Sequence, residues 1–438
     1  MRVLRELRDL LRLPGFRRLF AVRLVSQTGD GMFEVGLATL FFFSPQTQST
    51  AGRVAAAFAV LLLPFTIVGP WAGVFLDRWR RRQVLLYGNA VRLAITLVIA
   101  LLMVTTGITP VIYVLALLNL SVNRFLLSAL SASLPRVVDG PLLLTANSLT
   151  PTLGAAAAGI GGGIGLGAGL LLPRGGAGDA VVVAVSGLFY AAAAWLAVRI
   201  GRDELGPDRR TVTIPWSRQL RSLAVELGSG ARYLVRRRTP AYALGAMAAH
   251  RFLYGVALIA SILLSRNLLA DPADPAAGLA VFAQVLAASA VGFFLAVVLT
   301  PALSPRTGPH RWIAGCLVLA AVSQLVLVVT LTRVVLLTCA LALGLAAQGA
   351  KISVDTIVQR DTEDAYRGRA FALYDMLYNA AFVGAAALAA VTLPNDGYSR
   401  PLFVAVAAAY VAGAVLYRVA TVRTPSAVPV APVLGVAR

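Results

Sequence analysis

Long apolar runs broken by short polar stretches set the pattern of the chain before any single residue does. With windows of about 19 residues, twelve runs stand out, near residues 17–42, 53–76, 84–106, 111–132, 142–171, 179–200, 241–264, 276–301, 311–331, 334–353, 369–392 and 399–420. An α-helix needs roughly 20 such residues to cross about 30 Å of hydrocarbon, so twelve membrane-crossing helices are expected. Six runs, a polar stretch and six more runs suggest two halves. Residues 1–200 and 241–424 are expected to form six-helix bundles, 201–240 a connection between them, and 425–438 a Pro-rich disordered tail. In the connection, Leu220, Leu223, Leu227 and Leu234 share one face of 216–234, with Arg218, Arg221 and Arg232 elsewhere. That is the pattern of an amphipathic helix lying on the inner leaflet.

Composition agrees. Hydrophobic residues make up 58% of the chain and charged residues 13%, whereas about a quarter of an average soluble domain is charged; the mean hydropathy is +0.80. The formal charge of +20 would suggest nucleic-acid binding in a soluble protein, but the basic residues fall between apolar runs rather than on one patch. No nucleic-acid partner is expected. Arginines crowd the N-terminal arm (Arg2, Arg5, Arg8, Arg12, Arg17, Arg18) and the stretches 77–83, 201–240 and 355–369, while 44–52, 107–110 and 172–178 hold only Arg174. The positive-inside rule then places both termini and the central connection on the cytoplasmic side of an inner (plasma) membrane, which requires an even number of spans. The first run carries Arg23, Asp30 and Glu34 and lacks a small-residue cleavage site, so it is expected to stay on the chain. Cys316 and Cys339 lie inside apolar runs and read as packing residues.

One loop carries a motif. After the second run comes Gly69-Pro70-Trp71-Ala72-Gly73-Val74-Phe75-Leu76-Asp77-Arg78-Trp79-Arg80-Arg81-Arg82. It resembles the loop motif G-x-x-x-D-R-x-x-R-R of the major facilitator superfamily, with Gly73, Asp77, Arg78, Arg81 and Arg82 on the matching positions. A glycine lets two helices approach, and a carboxylate with arginines at a helix end can form a conformational latch. In the second half, Pro301 to His310 occupies the equivalent loop, with proline where the glycine and the aspartate would stand. Two further stretches, Asn123-Arg124-Phe125 through Leu134-Pro135-Arg136-Val137-Val138 with Ala146-Asn147-Ser148-Leu149, and Val358-Gln359-Arg360 with Tyr366-Arg367-Gly368-Arg369-Ala370-Phe371, are similar to the branch that includes macrolide efflux proteins, the enterobactin exporter and the lysophospholipid transporter. The resemblance implies the major facilitator fold, an all-α membrane protein of twelve helices in two pseudo-symmetric bundles. It also implies secondary transport of a small-molecule substrate by alternating access, with export and coupling to protons as expectations. The fifth run contains Gly159-Ile160-Gly161-Gly162 where drug–proton antiporters often carry G-P-x-x-G-G, so the resemblance supports transport better than antiport. An envelope-lipid or lysophospholipid flippase without antiport, or a transporter-like sensor, is the alternative. The small residues of that run allow close helix packing in lipid.

Ionisable residues inside the runs are the candidate chemistry, because a charge at the bilayer centre costs about 2.5–3.5 kcal/mol on insertion scales and must face protein or water. Arg23, Gln27, Asp30 and Glu34 recur at helical spacing and form one polar stripe. Two carboxylates one turn apart repel each other, which favours a proton on one of them; Asp30 is the first choice as proton carrier or substrate contact, with Glu34 next. The alternative is a static ion pair with an arginine of another span. His250, Arg251 and Tyr254 lie near the middle of the seventh run, and the resemblance implies that spans one and seven line one cavity. Arg124 in the fourth run is the candidate for carboxylate pairing or for an anionic substrate group, Arg92 in the third reads as structural, and Lys351 with Asp355, four apart, reads as a gate or a structural pair. No phosphate-binding loop or His-rich cluster occurs, and no strand precedes the glycine run. Neither enzyme activity, a cofactor nor a metal is expected, and the partners expected are substrate, protons and membrane lipids, around a monomer.

Overall fold

A computed structural model describes residues 2–38, 52, 79–107, 109–138, 142–172, 176–206 and 216–423. Thirteen α-helices run through them: α1 (Arg2–Arg12), α2 (Pro14–Ala38), α3 (Arg81–Thr105), α4 (Pro110–Ser133), α5 (Leu142–Leu171), α6 (Gly176–Val198), α7 (Trp216–Arg237), α8 (Thr239–Asn267), α9 (Pro275–Thr307), α10 (Pro309–Val329), α11 (Arg333–Asp361), α12 (Asp364–Thr392) and α13 (Arg400–Val422). Among the described residues there is no strand. Ten helices, α3 to α6 and α8 to α13, are long and apolar enough to cross a membrane. They coincide with the third to sixth and seventh to twelfth expected spans. The first expected span is α2, whose 25 residues include Arg17, Arg18, Arg23, Asp30 and Glu34; the second, 53–76, lies outside the described residues, as does the tail 425–438.

The chain divides into two compact units, one built on α1 to α6 and the other on α8 to α13, with the division falling inside α7 after Arg221. In the N-terminal unit, α2 packs against α5 and α6, and α3 against α4 and α6. A Cβ on Gly31 would lie 1.8 Å from the carbonyl oxygen of Ala158, and one on Gly161 would lie 1.9 Å from that of Thr28. The glycine-rich α5 therefore meets α2 backbone to backbone, which only glycine permits. Leu10 of α1 is buried with Phe16, Leu19, Leu85, Leu126 and Leu130, and Thr145 donates to Glu6 at 2.7 Å, so the basic arm is a packed helix. In the C-terminal unit, α8 packs against α11, α12 and α13, and α10 against α11 and α13. Outward-facing side chains such as Leu101, Phe294 and Val329 are more than half exposed, as suits a surface bathed in lipid tails.

Two expected loops prove helical. Arginine and acidic residues at 355–369 suggested a loop, but α11 runs to Asp361 and α12 starts at Asp364. Polarity here marks where helices leave the hydrocarbon and not where they end. The 301–310 stretch is likewise the end of α9 and the start of α10, interrupted at Gly308 with φ at 84°.

Candidate functional site

The N-terminal unit is organised around Arg92, which is fully buried in the apolar wall of α3. A guanidinium has five N–H donors and cannot lose its charge in a protein, so a buried one must find acceptors. Arg92 finds five. Its Nε donates to Asn119 Oδ1 at 3.0 Å; Nη1 donates to Ser26 Oγ at 3.2 Å and Asn123 Oδ1 at 3.4 Å; Nη2 donates to the Asp30 carboxylate and to Tyr190 Oη, the latter at 2.8 Å. The Tyr190 ring also lies 3.9 Å from the guanidinium carbon. Around this core Ser26 donates to Asn89 Oδ1 at 3.1 Å and Asn119 Nδ2 donates to Thr96 Oγ1 at 3.1 Å. One network thus joins α2, α3, α4 and α6, with charge balanced inside it.

The stripe read on α2 fans out. Asp30 and Ser26 point to Arg92; Gln27 accepts from Arg23 Nε at 3.0 Å, and the pair lies beside Gly154 of α5. Glu34 is exposed, and no hydrogen bond or ion pair holds it among the described residues. Arg124 stands partly buried on α4; the arginine that meets Asp30 is Arg92. Arg92 was read from the sequence as structural, without its partner, and Tyr190 and Ser26 are members of this site that no sequence signal singled out. The signal for Arg92 was its position: an arginine central to an apolar run needs a carboxylate somewhere.

In the C-terminal unit, His250 is 1% exposed, between the rings of Tyr254 (centroids 6.2 Å apart) and Tyr410 (5.5 Å). Neither ring nitrogen has a hydrogen-bond partner among the described residues. Arg251 next to it is held by aromatic rings: its guanidinium carbon is 3.6 Å from the Phe382 centroid, 4.1 Å from that of Tyr378 and 5.6 Å from that of Tyr254. Each cation–π contact contributes about 0.5–2 kcal/mol, so the three together are of the order of the roughly 2.5–3.5 kcal/mol that an arginine at a span centre costs on insertion scales, while giving its N–H groups no oxygen acceptor. Behind Tyr254, an apolar cavity of about 40 Å³ contains Ser289, Gln324 and Cys339 in its walls. Lys351 and Asp355 on α11 form an ion pair at 2.7 Å, both partly exposed.

At the start of α3, Arg81 Nη1 donates to the carbonyls of Ala132 (2.8 Å) and Leu205 (3.2 Å), and Arg82 Nη2 to that of Val198 (3.3 Å). These arginines tie α3 to the C-terminal ends of α4 and α6, where exposed carbonyls favour cations. Arg80 adds an ion pair to Asp203 at 2.9 Å. Gly73, Asp77 and Arg78 lie outside the described residues.

No family model matches the chain. It is 37% identical, over 94% of its length and 92% of theirs, to two proteins each described as an uncharacterized MFS-type transporter, one of Mycobacterium tuberculosis and one of Mycobacterium bovis. The chain belongs to the major facilitator superfamily. The fold agrees: the nucleoside transporter NupG superposes with a TM-score of 0.66 at 13% identity, covering 92% of this chain and 98% of that one. The POT family transporter PepTSo superposes with a TM-score of 0.66 at 13% identity, covering 93% and 97%. The chain is therefore a multi-pass membrane transporter of the superfamily.

Proposed function

We propose that the chain is a secondary active transporter of the plasma membrane that exports small amphipathic molecules by alternating access in exchange for protons. Glu34 is the proton-binding group in this reading, and the Asp30–Arg92 pair is its fixed, charge-neutral support. The observation that carries it is the contrast between the two carboxylates of α2: Asp30 is 4% exposed and paired, whereas Glu34 is exposed and has no hydrogen-bond or ion-pair partner among the described residues. An unpaired carboxylate within a span is stable only in contact with water or with a proton bound. When water is withdrawn as the pathway closes, Glu34 must hold a proton; when water returns, it can release it. Asp30 lacks this property because Arg92 neutralises it in either condition.

The resemblance of the 123–149 and 358–371 stretches to an exporter branch supports outward transport in this reading, and the placement of arginines supports cytoplasmic termini. The test is infrared titration of the protein in lipid nanodiscs, following the protonated-carboxyl band across neutral pH. The parent and Asp30→Asn should show a titrating band that Glu34→Gln lacks. A band that survives Glu34→Gln and vanishes in Asp30→Asn would transfer the role to Asp30, and a parent with no such band would favour a flippase that works without proton exchange.

A further inference from the structure

Arg251 is unlike the other spanning arginines whose surroundings are described. Arg92 meets five oxygen acceptors, and Arg81 and Arg82 meet backbone carbonyls. Arg251 meets rings only, its Nε being buried without an acceptor among the described residues. We propose that Arg251 is an anion-binding group and that the transported molecule carries an oxoanion, a carboxylate or a phosphate, on an apolar and preferably aromatic body. This deepens the transporter reading and rests on it.

Geometry supports the assignment. Aromatic rings attract a guanidinium through its charge and its planar faces. The N–H groups lie in the plane, at the edge, so stacking leaves them as donors in the fork arrangement that matches a carboxylate or phosphate. The cradle is held in place from both sides. Tyr378 and Phe382 are four residues apart and share one face of α12. Phe382 is 4% exposed, and a Cβ on Gly255 would come within 2.7 Å of it, so α8 and α12 are in close contact beside the arginine. Tyr254 is fixed at its far end by the contact of its hydroxyl with Ser289 Oγ at 3.4 Å. Other cations of this unit's spans are engaged by oxygen acceptors: Lys351 by Asp355, Arg360 by Asp361 and Arg333 by Gln284. Arg251 is thus a preorganised charge whose edge awaits an anion, beside rings on which an aromatic body can stack.

The experiment uses the full chain in lipid nanodiscs and isothermal titration with four probes of one shape: 2-naphthoate, 2-naphthyl phosphate, neutral 2-naphthol and cationic 2-naphthylmethylammonium. At least one anion should bind about tenfold or more tightly than 2-naphthol, as expected of a charge-assisted bidentate contact. Which anion it is tells the carboxylate from the phosphate. Arg251→Gln should reduce that advantage to less than about twofold with 2-naphthol affinity unchanged, which also reports that the variant is folded. Arg251→Lys, which keeps the charge and loses the fork, should fall between. Equal binding of anions and 2-naphthol by the parent would overturn the proposal, as would an anion advantage that survives Arg251→Gln or is untouched in Arg251→Lys. The binding ratios read anion recognition and the protonated-carboxyl band reads proton binding, so a failure of proton exchange and a failure of anion recognition show in separate measurements.

Discussion

Replacing Arg92 by methionine keeps most of the bulk inside α3 and removes the charge. Asp30, 4% exposed, is then an ionised group without its counter-charge, and Ser26, Asn119, Asn123 and Tyr190 each lose a donor. Breaking a buried pair by removing one partner costs about 3–5 kcal/mol. For a unit of roughly 200 residues each kcal/mol moves the unfolding midpoint by about 2–4 °C, so Arg92→Met should lower the apparent midpoint by roughly 6–20 °C. The assay is thermal unfolding in detergent followed by size-exclusion fluorescence, with all variants heated at one rate because unfolding of such proteins is often irreversible. Asp30→Asn added to Arg92→Met removes the orphaned charge and should recover at least half of the loss. That recovery is the diagnostic, since a merely bulky substitution would not be rescued at a second site. A midpoint for Arg92→Met within about 2 °C of the parent, or a double variant no better than the single one, would refute the network as a structural core.

Other sites test other parts of the account. Gly161→Val places a side chain where the Thr28 carbonyl oxygen stands 1.9 Å away and should abolish the monodisperse elution peak, while Gly159→Ala, with open space around it, should elute as the parent does. Lys351→Ala should shift the unfolding midpoint by no more than about 1 kcal/mol equivalent, because the pair with Asp355 is partly exposed and surface ion pairs contribute about 0–1 kcal/mol. Arg81→Ala removes two carbonyl contacts at 2.8 and 3.2 Å; each hydrogen bond to a charged group contributes about 1.5–3 kcal/mol, and cysteine cross-linking of α3 to α4 should report looser packing at that end.

Helices were legible because lipid imposes a single solution on apolar runs: every backbone group must be bonded within its own segment. The same logic located Asp30 and Glu34 as residues that must have a reason to be there. It did not select the partner. Arg78, Arg92 and Arg124 all lie on or beside apolar runs, and only the rotation of α3 against α2 and α6 decides that Arg92 meets Asp30 and Tyr190. The glycines of α5 announced close packing, but which of them touch a neighbour depends on helix register: Gly161 meets Thr28 while Gly159 and Gly163 face open space. Helix ends were the poorest reading. At 355–369 polar residues continue the helices beyond the apolar core, since in water a helix needs no apolar face to keep its backbone bonds.

The most direct measurement of the central claim is proton movement in proteoliposomes loaded with a pH-sensitive dye, comparing the parent with Glu34→Gln while 2-naphthyl phosphate and the other naphthyl probes are added one at a time. The account predicts a probe-dependent change of internal pH in the parent that is lost in Glu34→Gln although the probe still binds. Probe-driven proton movement of equal size in both proteins would contradict it.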